Sequence, residues 1–360
     1  MSTDPSAGVA ADRSFQVELA DIQAVQAAVG GRNTAPGPRY VPGRTIPVPT
    51  SVSDGFQRTI AMPYRDSEWK LDPPDAEGWR QAVAGLAAIT APAIEQMRQR
   101  LGVEVTETMI AGVPVFEVTP ATIGPENTGR VLVNTHGGGY VFNPGRACLL
   151  EAVVIAATCG IKVLAVDYRM PPDHPFPAAL DDGFAVWKAV VASQPSGSVG
   201  LCGGSSGGGL AVAITLRAKQ EGVPLPAALA IQTPWADLEE VGDSFRTNEW
   251  LDSVLVSYSA APQRAARLYA AGHDLADPLL SPLRGDLTGF PPTMLITGTR
   301  DLFLSLTVLV HRKLRRAGVP AELHVVEGAS HFQYFINPFA YESREIFGEL
   351  RLFLDRTLVG

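Results

Sequence analysis

The chain has 360 residues, of which 46% are hydrophobic and 18% are charged, a composition typical of a globular protein. Its length suits one large α/β core with an accessory lid. The formal net charge is −8 and Lys and Arg form no run, which argues against a nucleic-acid partner and against binding to an anionic membrane surface. No apolar stretch approaches the ~18 residues that a membrane helix needs, so we expect no stable membrane insertion.

The cysteines and the polar amino terminus indicate the cellular compartment and whether a metal site is expected. Cys148, Cys159 and Cys202 lie in apolar or Gly-rich sequence and form no CxxC pair, so we expect buried free thiols. Free thiols favour a reducing cytoplasm, and no signal peptide is recognisable after Met1. No cluster of His, Cys and carboxylate residues has ligand spacing, so neither a metal site nor a cofactor is expected.

Residues 1–100 differ from the rest of the chain, and we expect them to contribute to a cap. A helix is predicted over Phe15–Val29. The following stretch, Thr34–Pro49, contains too much Pro and Gly for a regular element. Helical spacing returns over Trp79–Leu101, where Pro92 predicts a kink or a break.

From about Val103 onward, strands alternate with helices, and residues 101–360 are predicted to form the catalytic domain. The predicted strands are Val113–Val118, Arg130–Asn134, Ile161–Val166, Val199–Cys202, Ala227–Ile231, Thr293–Thr297 and Ala321–Val326. The predicted helices are Leu149–Cys159, Ala178–Val191, Gly207–Gln220 and Leu304–Ala317. This alternation predicts an α/β fold with a mostly parallel sheet and a site at the carboxyl ends of its strands. Ala236–His273 interrupts the alternation and is predicted to be an insertion above the sheet.

A glycine-rich turn, Gly203–Gly209, connects a predicted strand directly to a helix. G-x-S-x-G in this position is the pattern of a nucleophile elbow, and the helix amino end there favours a developing negative charge. A phosphate-binding loop is the alternative, but the turn contains neither G-x-G-x-x-G nor a following Gly-Lys-Ser/Thr. Both Ser205 and Ser206 satisfy the pattern, and spacing alone does not choose between them.

A second glycine-rich loop, His136–Tyr140, also follows a predicted strand. Its three successive glycines would let backbone amides approach a substrate oxygen, as in an oxyanion hole. A plain tight turn is the alternative, but three glycines would be entropically expensive there. Because the loop lies upstream of a candidate elbow, we favour the oxyanion hole.

A nucleophilic serine needs a general base, and the base needs an orienting acid, in the chain order Ser, Asp or Glu, His. Among the histidines after the elbow, His331 is the one that lies in a short loop directly after a strand. Asp301 follows the preceding strand, which places both side chains at the same sheet edge. Asp286 and Glu327 are rival acids, but Asp286 precedes its strand and Glu327 is expected to face solvent.

Three motifs together resemble the bacterial hormone-sensitive-lipase-like esterases: His136–Tyr140, Val166–Ala178 and Gly203–Gly208. The resemblance extends from about Val103 to the carboxyl terminus. It implies an α/β-hydrolase fold, a cap built from the amino-terminal region and the insertion, and a homodimer. It also implies the nucleophile Ser205 and oxyanion donors at the amides of Gly138, Gly139 and Ser206.

The chain departs from this family at three positions. Gly204 stands where the family usually has Asp, Phe332 where Gly is usual, and Ser305 where an acidic residue is common. Phe332 and Tyr140 are the aromatic residues that we consider for an apolar substrate pocket, although each could be an ordinary core residue.

The sequence therefore predicts a serine esterase that hydrolyses carboxylic esters, with short to medium acyl chains, through an acyl-enzyme on Ser205. His331 would act as the base, and Asp301 would orient it. One alternative is a lactonase or amidase that uses the same triad, because the fold does not choose the substrate. Another is a non-catalytic member of the fold that binds small molecules. A small-molecule ester is the expected partner.

Overall fold

The structure, a computed structural model, describes residue 43, residues 45–64 and residues 70–359. The helix predicted over Phe15–Val29 lies outside the described residues, as does most of the Thr34–Pro49 stretch. The chain divides into two compact units, residues 1–47 and 48–360, and the following description concerns the second unit.

An eight-stranded sheet forms the centre of this unit. Its strands are β1 (Glu104–Ile110), β2 (Val113–Thr119), β3 (Val131–Thr135), β4 (Lys162–Val166), β5 (Val199–Gly204), β6 (Ala228–Gln232), β7 (Thr293–Gly298) and β8 (Ala321–Val326). Their order across the sheet is β1-β2-β4-β3-β5-β6-β7-β8. Strand β2 is antiparallel to both of its neighbours, and β3 to β8 pair in parallel, which confirms the predicted mostly parallel sheet.

Helices cover the sheet and connect its strands. Those of the described residues are α1 (Asp54–Ile60), α2 (Ala76–Leu101), α3 (Leu150–Cys159), α4 (Ala178–Ser193), α5 (Ser206–Glu221), α6 (Ser244–Thr247), α7 (Ala261–Ala270), α8 (Leu304–Arg316), α9 (Gln333–Ile336) and α10 (Tyr341–Thr357). None of them is long and apolar enough to cross a membrane.

The central strands β3 to β7 are buried on both faces, which explains the continuous apolar runs of β4 to β7. Alternate residues of a strand point to opposite faces, so Leu229 and Ile231 of β6 enter one core cluster, and Ala228 and Ala230 enter the other. Side chains of α4 and α5 fill the first cluster, and side chains of α3 and α10 fill the second. Because β3 to β8 run in parallel, their carboxyl ends lie along one edge of the sheet.

The sequence predicts a kink or a break at Pro92, and the break is absent, because the long helix α2 continues through this residue. Pro92 removes the hydrogen bond to the carbonyl of Ala88, and both residues are exposed, so water can hydrate that carbonyl. Ile89 of this helix is 74% exposed.

Candidate active site

The nucleophile elbow lies at the carboxyl end of β5, where Ser205 is the residue before α5. Its backbone has φ 55° and ψ −124°, a conformation that costs a non-glycine residue free energy and is typical of functional sites. A β-carbon on Gly203 would lie 2.5 Å from the carbonyl oxygen of Gly207, and one on Gly207 would lie 1.9 Å from that of Thr135. Only glycine therefore allows the turn to close against the end of β3.

The two candidate serines occupy different environments. Ser205 lies at the turn itself and is partly exposed, with its amide donating to the carbonyl oxygen of Gln232 at 2.9 Å. Ser206 is fully buried in the first turn of α5. Of the two side chains, that of Ser205 is the more accessible, which favours the register that the resemblance implies.

The N–H groups of Gly138 and Gly139 are oriented by hydrogen bonds to the carbonyl group of the same peptide unit in each case. In a trans peptide each N–H points away from the preceding carbonyl. The carbonyl oxygen of Gly137 accepts from Asn143 Nδ2 at 3.1 Å, which directs the N–H of Gly138 the other way. The carbonyl oxygen of Gly138 accepts from the amide of Phe142 at 2.8 Å and so directs the N–H of Gly139.

The third amide, that of Ser206, is held in the same manner. The carbonyl oxygen of Ser205 accepts from the amides of Trp235 at 2.8 Å and Gly209 at 3.1 Å. The three N–H groups implied as oxyanion donors are therefore fixed by the fold itself. Donors that need no reorganisation are what transition-state stabilisation requires.

Asp301 and His331 form a buried pair beside the elbow. His331 Nδ1 lies 3.0 Å from Asp301 Oδ1, and the residues are 4% and 0% exposed. Asp301 Oδ1 also accepts from the amide of Phe303 at 2.8 Å, and Oδ2 accepts from the hydroxyl groups of Thr297, at 3.0 Å, and of Thr233.

The rival acids lie elsewhere. Asp286 forms a surface ion pair with Lys219, at 2.7 Å, and Glu327 is exposed. Of the three acids that we considered, Asp301 is the one that the structure brings to the histidine.

The electrostatic surroundings of His331 favour its charged form. Burial lowers the pKa of His331, but the charge and hydrogen bond of Asp301, with the charges of Asp252 and Glu151, overcome this and leave the pKa raised. An imidazole with this environment can accept a proton and be stabilised as an imidazolium.

The insertion 236–273 contacts both the loop that carries Asp301 and the loop that carries His331. Asp252 Oδ2 accepts from the amides of Leu302 at 2.8 Å and His331 at 3.3 Å. Asn248 Nδ2 donates to the carbonyl oxygen of Asp301 at 2.8 Å. Burial and the charge of Asp301 raise the pKa of Asp252 to about 6. The insertion thus holds the acid loop and the histidine loop together, in addition to any role as a cap.

Sequence reasoning missed Thr233, Asn248 and Asp252. Thr233 directly follows β6, so a survey of every residue at a strand end would have found it. Asn248 and Asp252 lie in irregular sequence with no motif, and nothing local to them indicates that they reach the catalytic loops.

Two of the departures from the family pattern compensate each other in space. A β-carbon on Gly204 would lie 2.1 Å from Cε2 of Phe332, so the phenyl ring occupies the position of the missing aspartate side chain. Phe332 adopts a left-handed backbone conformation with φ 64° and stacks on Phe335 at a centroid distance of 4.5 Å. The third departure, Ser305, exchanges two hydrogen bonds of 2.9 Å with Ser244 and so connects α8 to the insertion.

This contact predicts that positions 204 and 332 are coupled. Gly204→Asp alone should lower the melting temperature by several degrees, because the ring is stacked and cannot move freely. Adding Phe332→Gly, which also suits the left-handed backbone, should recover most of that loss. Thermal unfolding of the wild type, both single variants and the double variant gives the coupling, and strictly additive effects would contradict it.

Tyr140, the other aromatic residue considered for a pocket, is the last residue of the His136–Tyr140 loop. It is 2% exposed and stacks on Tyr269 at a centroid distance of 4.0 Å. Burial also raises the pKa of Tyr140. Its ring therefore packs as a core aromatic that supports the loop, and contact with substrate stays a prediction for Phe332, which is half-buried beside the elbow.

Comparison with known proteins connects this geometry to a family. The α/β hydrolase fold family matches residues 132–335. An acetyl-hydrolase of Streptomyces hygroscopicus is 34% identical over 233 residues, which are 64% of this chain and 77% of the relative. The crystal structure of an esterase superposes with a TM-score of 0.86 and 41% identity, covering 89% of this chain and 99% of that one. That of a hormone-sensitive lipase from a metagenome library gives 0.73 and 26%, covering 85% and 99%.

Proposed function

The chain belongs to the α/β-hydrolase fold family, and on this premise we propose that it hydrolyses carboxylic esters through an acyl-enzyme on Ser205. It is a carboxylic-ester hydrolase whose relatives are named esterase and acetyl-hydrolase and resemble it over most of their length. The observation that carries the mechanism is the buried His331–Asp301 pair at the sheet edge where a strained, partly exposed Ser205 begins a helix.

In the proposed acylation, Ser205 Oγ attacks the ester carbonyl carbon while His331 Nε2 accepts its proton. Asp301 holds Nδ1–H of the same ring and stabilises the imidazolium. The carbonyl oxygen becomes an oxyanion that the amides of Gly138, Gly139 and Ser206 bind. His331 then donates the proton to the departing alkoxide, so an alcohol leaves.

In deacylation the same groups act on water. His331 removes a proton from a water molecule, which attacks the acyl-enzyme carbonyl and passes through a second oxyanion. Collapse of that intermediate returns the proton to Ser205 Oγ and releases a carboxylic acid. These steps use only side chains and backbone amides of this chain.

The proposed substrates have short to medium acyl chains. The Phe332 ring over Gly204 supports this choice, because it fills space directly beside the nucleophile. Aryl esters from two to twelve acyl carbons, assayed beside the matching anilides and a lactone, test it. If a lactone or an anilide is turned over fastest, the proposed substrate is a lactone or an amide instead of an ester. If none of the compounds is turned over, a non-catalytic binding protein is favoured.

The pH dependence should report His331. Only the neutral imidazole can accept the serine proton, so kcat/KM should rise with pH. Because the pKa of His331 is raised, the midpoint should lie above the ordinary value of 6.5. Asp252 and Glu151 titrate nearby and are electrostatically linked to His331. The increase of kcat/KM with pH should therefore reflect the coupled titration of these groups and extend over a wider pH range than the titration of a single group. Rates measured between pH 5 and 10 check this, and a midpoint below 6.5 would contradict it.

The remaining assignments are proposals of the same kind. The buried thiols of Cys148, Cys159 and Cys202 support a reducing cytoplasm as the place of action. A homodimer and a cap formed by residues 1–100 with the insertion 236–273 rest on the family resemblance. Light scattering of the purified chain tests the dimer.

A further inference from the structure

Glu151 is a buried carboxylate beside the nucleophile that the ester hydrolysis described above does not use. It lies in the first turn of α3 and is 3% exposed. Removing a carboxylate from water costs free energy unless hydrogen bonds compensate for the lost hydration. A carboxylate retained in such a position, next to a reactive group, is a candidate for a functional role.

The hydrogen bonds of Glu151 join three segments of the site. Its Oε1 accepts from the backbone amide of Gly137 at 2.7 Å, and its Oε2 accepts from Asn134 Nδ2 at 3.1 Å. The backbone amide of Gly204 also interacts with the carboxylate. These partners belong to the end of β3, the oxyanion loop and the end of β5, so one side chain connects the oxyanion loop to the elbow.

The carboxylate and the nucleophile meet around Gly137. A β-carbon on Gly137 would stand 3.2 Å from Ser205 Cβ, 3.3 Å from Glu151 Oε1 and 3.0 Å from the carbonyl oxygen of Gly204. Gly137 is thus enclosed by both catalytic segments. Its carbonyl, held by Asn143, orients the amide of Gly138, and its own amide is held by Glu151.

We propose that Glu151 is a positioning residue whose carboxylate fixes Gly137, so that the amides of Gly138 and Gly139 keep the geometry that binds the oxyanion. The proposal rests on the proposed esterase function. A hydrogen bond to an ionised acceptor is shorter and about twice as strong as one between neutral groups, so a carboxylate holds the loop more firmly than an amide side chain can.

The charge of Glu151 is itself sensitive to its surroundings. Burial raises its pKa to about 7, and the hydrogen bonds from Gly137 and Asn134 oppose that rise. The positive charge of His331 lowers the same pKa. The ionised form can accept all of these hydrogen bonds, whereas protonation converts one oxygen to a donor that faces only N–H groups.

Two variants and a matched control test this role. Glu151→Leu keeps the approximate volume and removes the acceptor, and Glu151→Gln keeps a neutral acceptor for Gly137. Asp167→Asn is the control, because Asp167 is also a carboxylate whose pKa burial raises and which accepts from a backbone amide, that of Gly145 at 2.9 Å. Gly145 lies outside the three glycines of the oxyanion loop.

We expect kcat for an aryl acetate to fall about 30- to 100-fold in Glu151→Leu and about 3- to 10-fold in Glu151→Gln, a part of what losing one oxyanion donor costs. KM should stay within about twofold, because the donors act on the transition state. Affinity for a boronic acid that forms a tetrahedral adduct should fall by the same factor as kcat/KM. Asp167→Asn should keep wild-type kcat, with active sites counted by phosphonate titration in every case.

Rates of both Glu151 variants within about 1.5-fold of wild type would overturn the role, as would a loss expressed in KM with unchanged boronic acid affinity. If Glu151→Leu does not fold, Glu151→Gln decides by the same measurements. Absence of turnover by the unmodified enzyme would overturn the proposed function and the role of Glu151 with it. Full turnover in the variants would overturn the role of Glu151 alone.

Discussion

Replacing Ser205 with alanine should lower kcat for a short-chain aryl ester by about a millionfold, the loss that removal of the serine causes in a serine protease of the same mechanism. The methyl group cannot attack the carbonyl, and no acyl-enzyme can form. The substitution keeps the elbow, whose amide still donates to the carbonyl oxygen of Gln232, so the protein should remain folded. Steady-state assays with an unfolding curve for each variant check both parts.

Ser206→Ala is the matched control for this prediction. Ser206 is fully buried, and its proposed contribution is a backbone amide, which alanine retains. Its rate should remain within about tenfold of the wild type. An inactive Ser206→Ala variant beside an active Ser205→Ala variant would show that the elbow uses the other register.

Asp301→Ala has the second-largest expected effect, a loss of kcat of about four orders of magnitude. Without the carboxylate, the imidazole loses both its orientation and the charge that stabilises its protonated form. The midpoint of the pH profile should also move to lower pH, because Asp301 is what raises the pKa of His331 against the effect of burial. Assays across pH measure the two effects together, and Glu327→Gln should change neither.

Asp301→Asn should be milder than Asp301→Ala, because of the particular donors around this carboxylate. Oδ1 accepts from the amide of Phe303, and a backbone N–H can only donate a hydrogen bond. The oxygen of the asparagine should therefore occupy the position of Oδ1, on the side of His331. Its NH₂ group then faces the hydroxyl groups of Thr233 and Thr297, which can turn to accept. The histidine tautomer is thereby preserved and only the charge is lost. A loss as large as that of Asp301→Ala would show that the asparagine takes the opposite orientation.

Strands β2 to β8 and the glycine-rich loops were predictable because their signals are local, whereas the mostly exposed strand β1 was not predicted. A strand buried on both faces is a continuous apolar run, and β4 to β7 were each predicted to within two residues of the observed bounds. The elbow requires glycines where main-chain segments nearly touch, at positions 203 and 207. Gly203 and Gly207 are therefore visible in the amino-acid sequence as part of a recognisable motif.

The features that sequence reasoning missed depend on contacts between distant segments. Whether Pro92 breaks helix α2 depends on which side of the helix faces solvent, and the tertiary fold determines that side. Asp252 bonds the amides of Leu302 and His331, which lie 50 and 79 residues away along the chain. Phe332 replaces a side chain at position 204 only because two loops meet in space. Glu151 lies in an ordinary helical sequence, and its contact with Gly137 is equally non-local.

The most direct test of the account is to label the wild-type protein with a serine-reactive phosphonate and to identify the modified residue by mass spectrometry of its peptides. A nucleophile activated by His331 should take up one equivalent, and the adduct should be on Ser205. Ser205→Ala should take up none, and Ser206→Ala should still be labelled at Ser205. An adduct on Ser206, or a folded wild-type protein that takes up no label, would contradict the assignment of Ser205 as the nucleophile of this hydrolase.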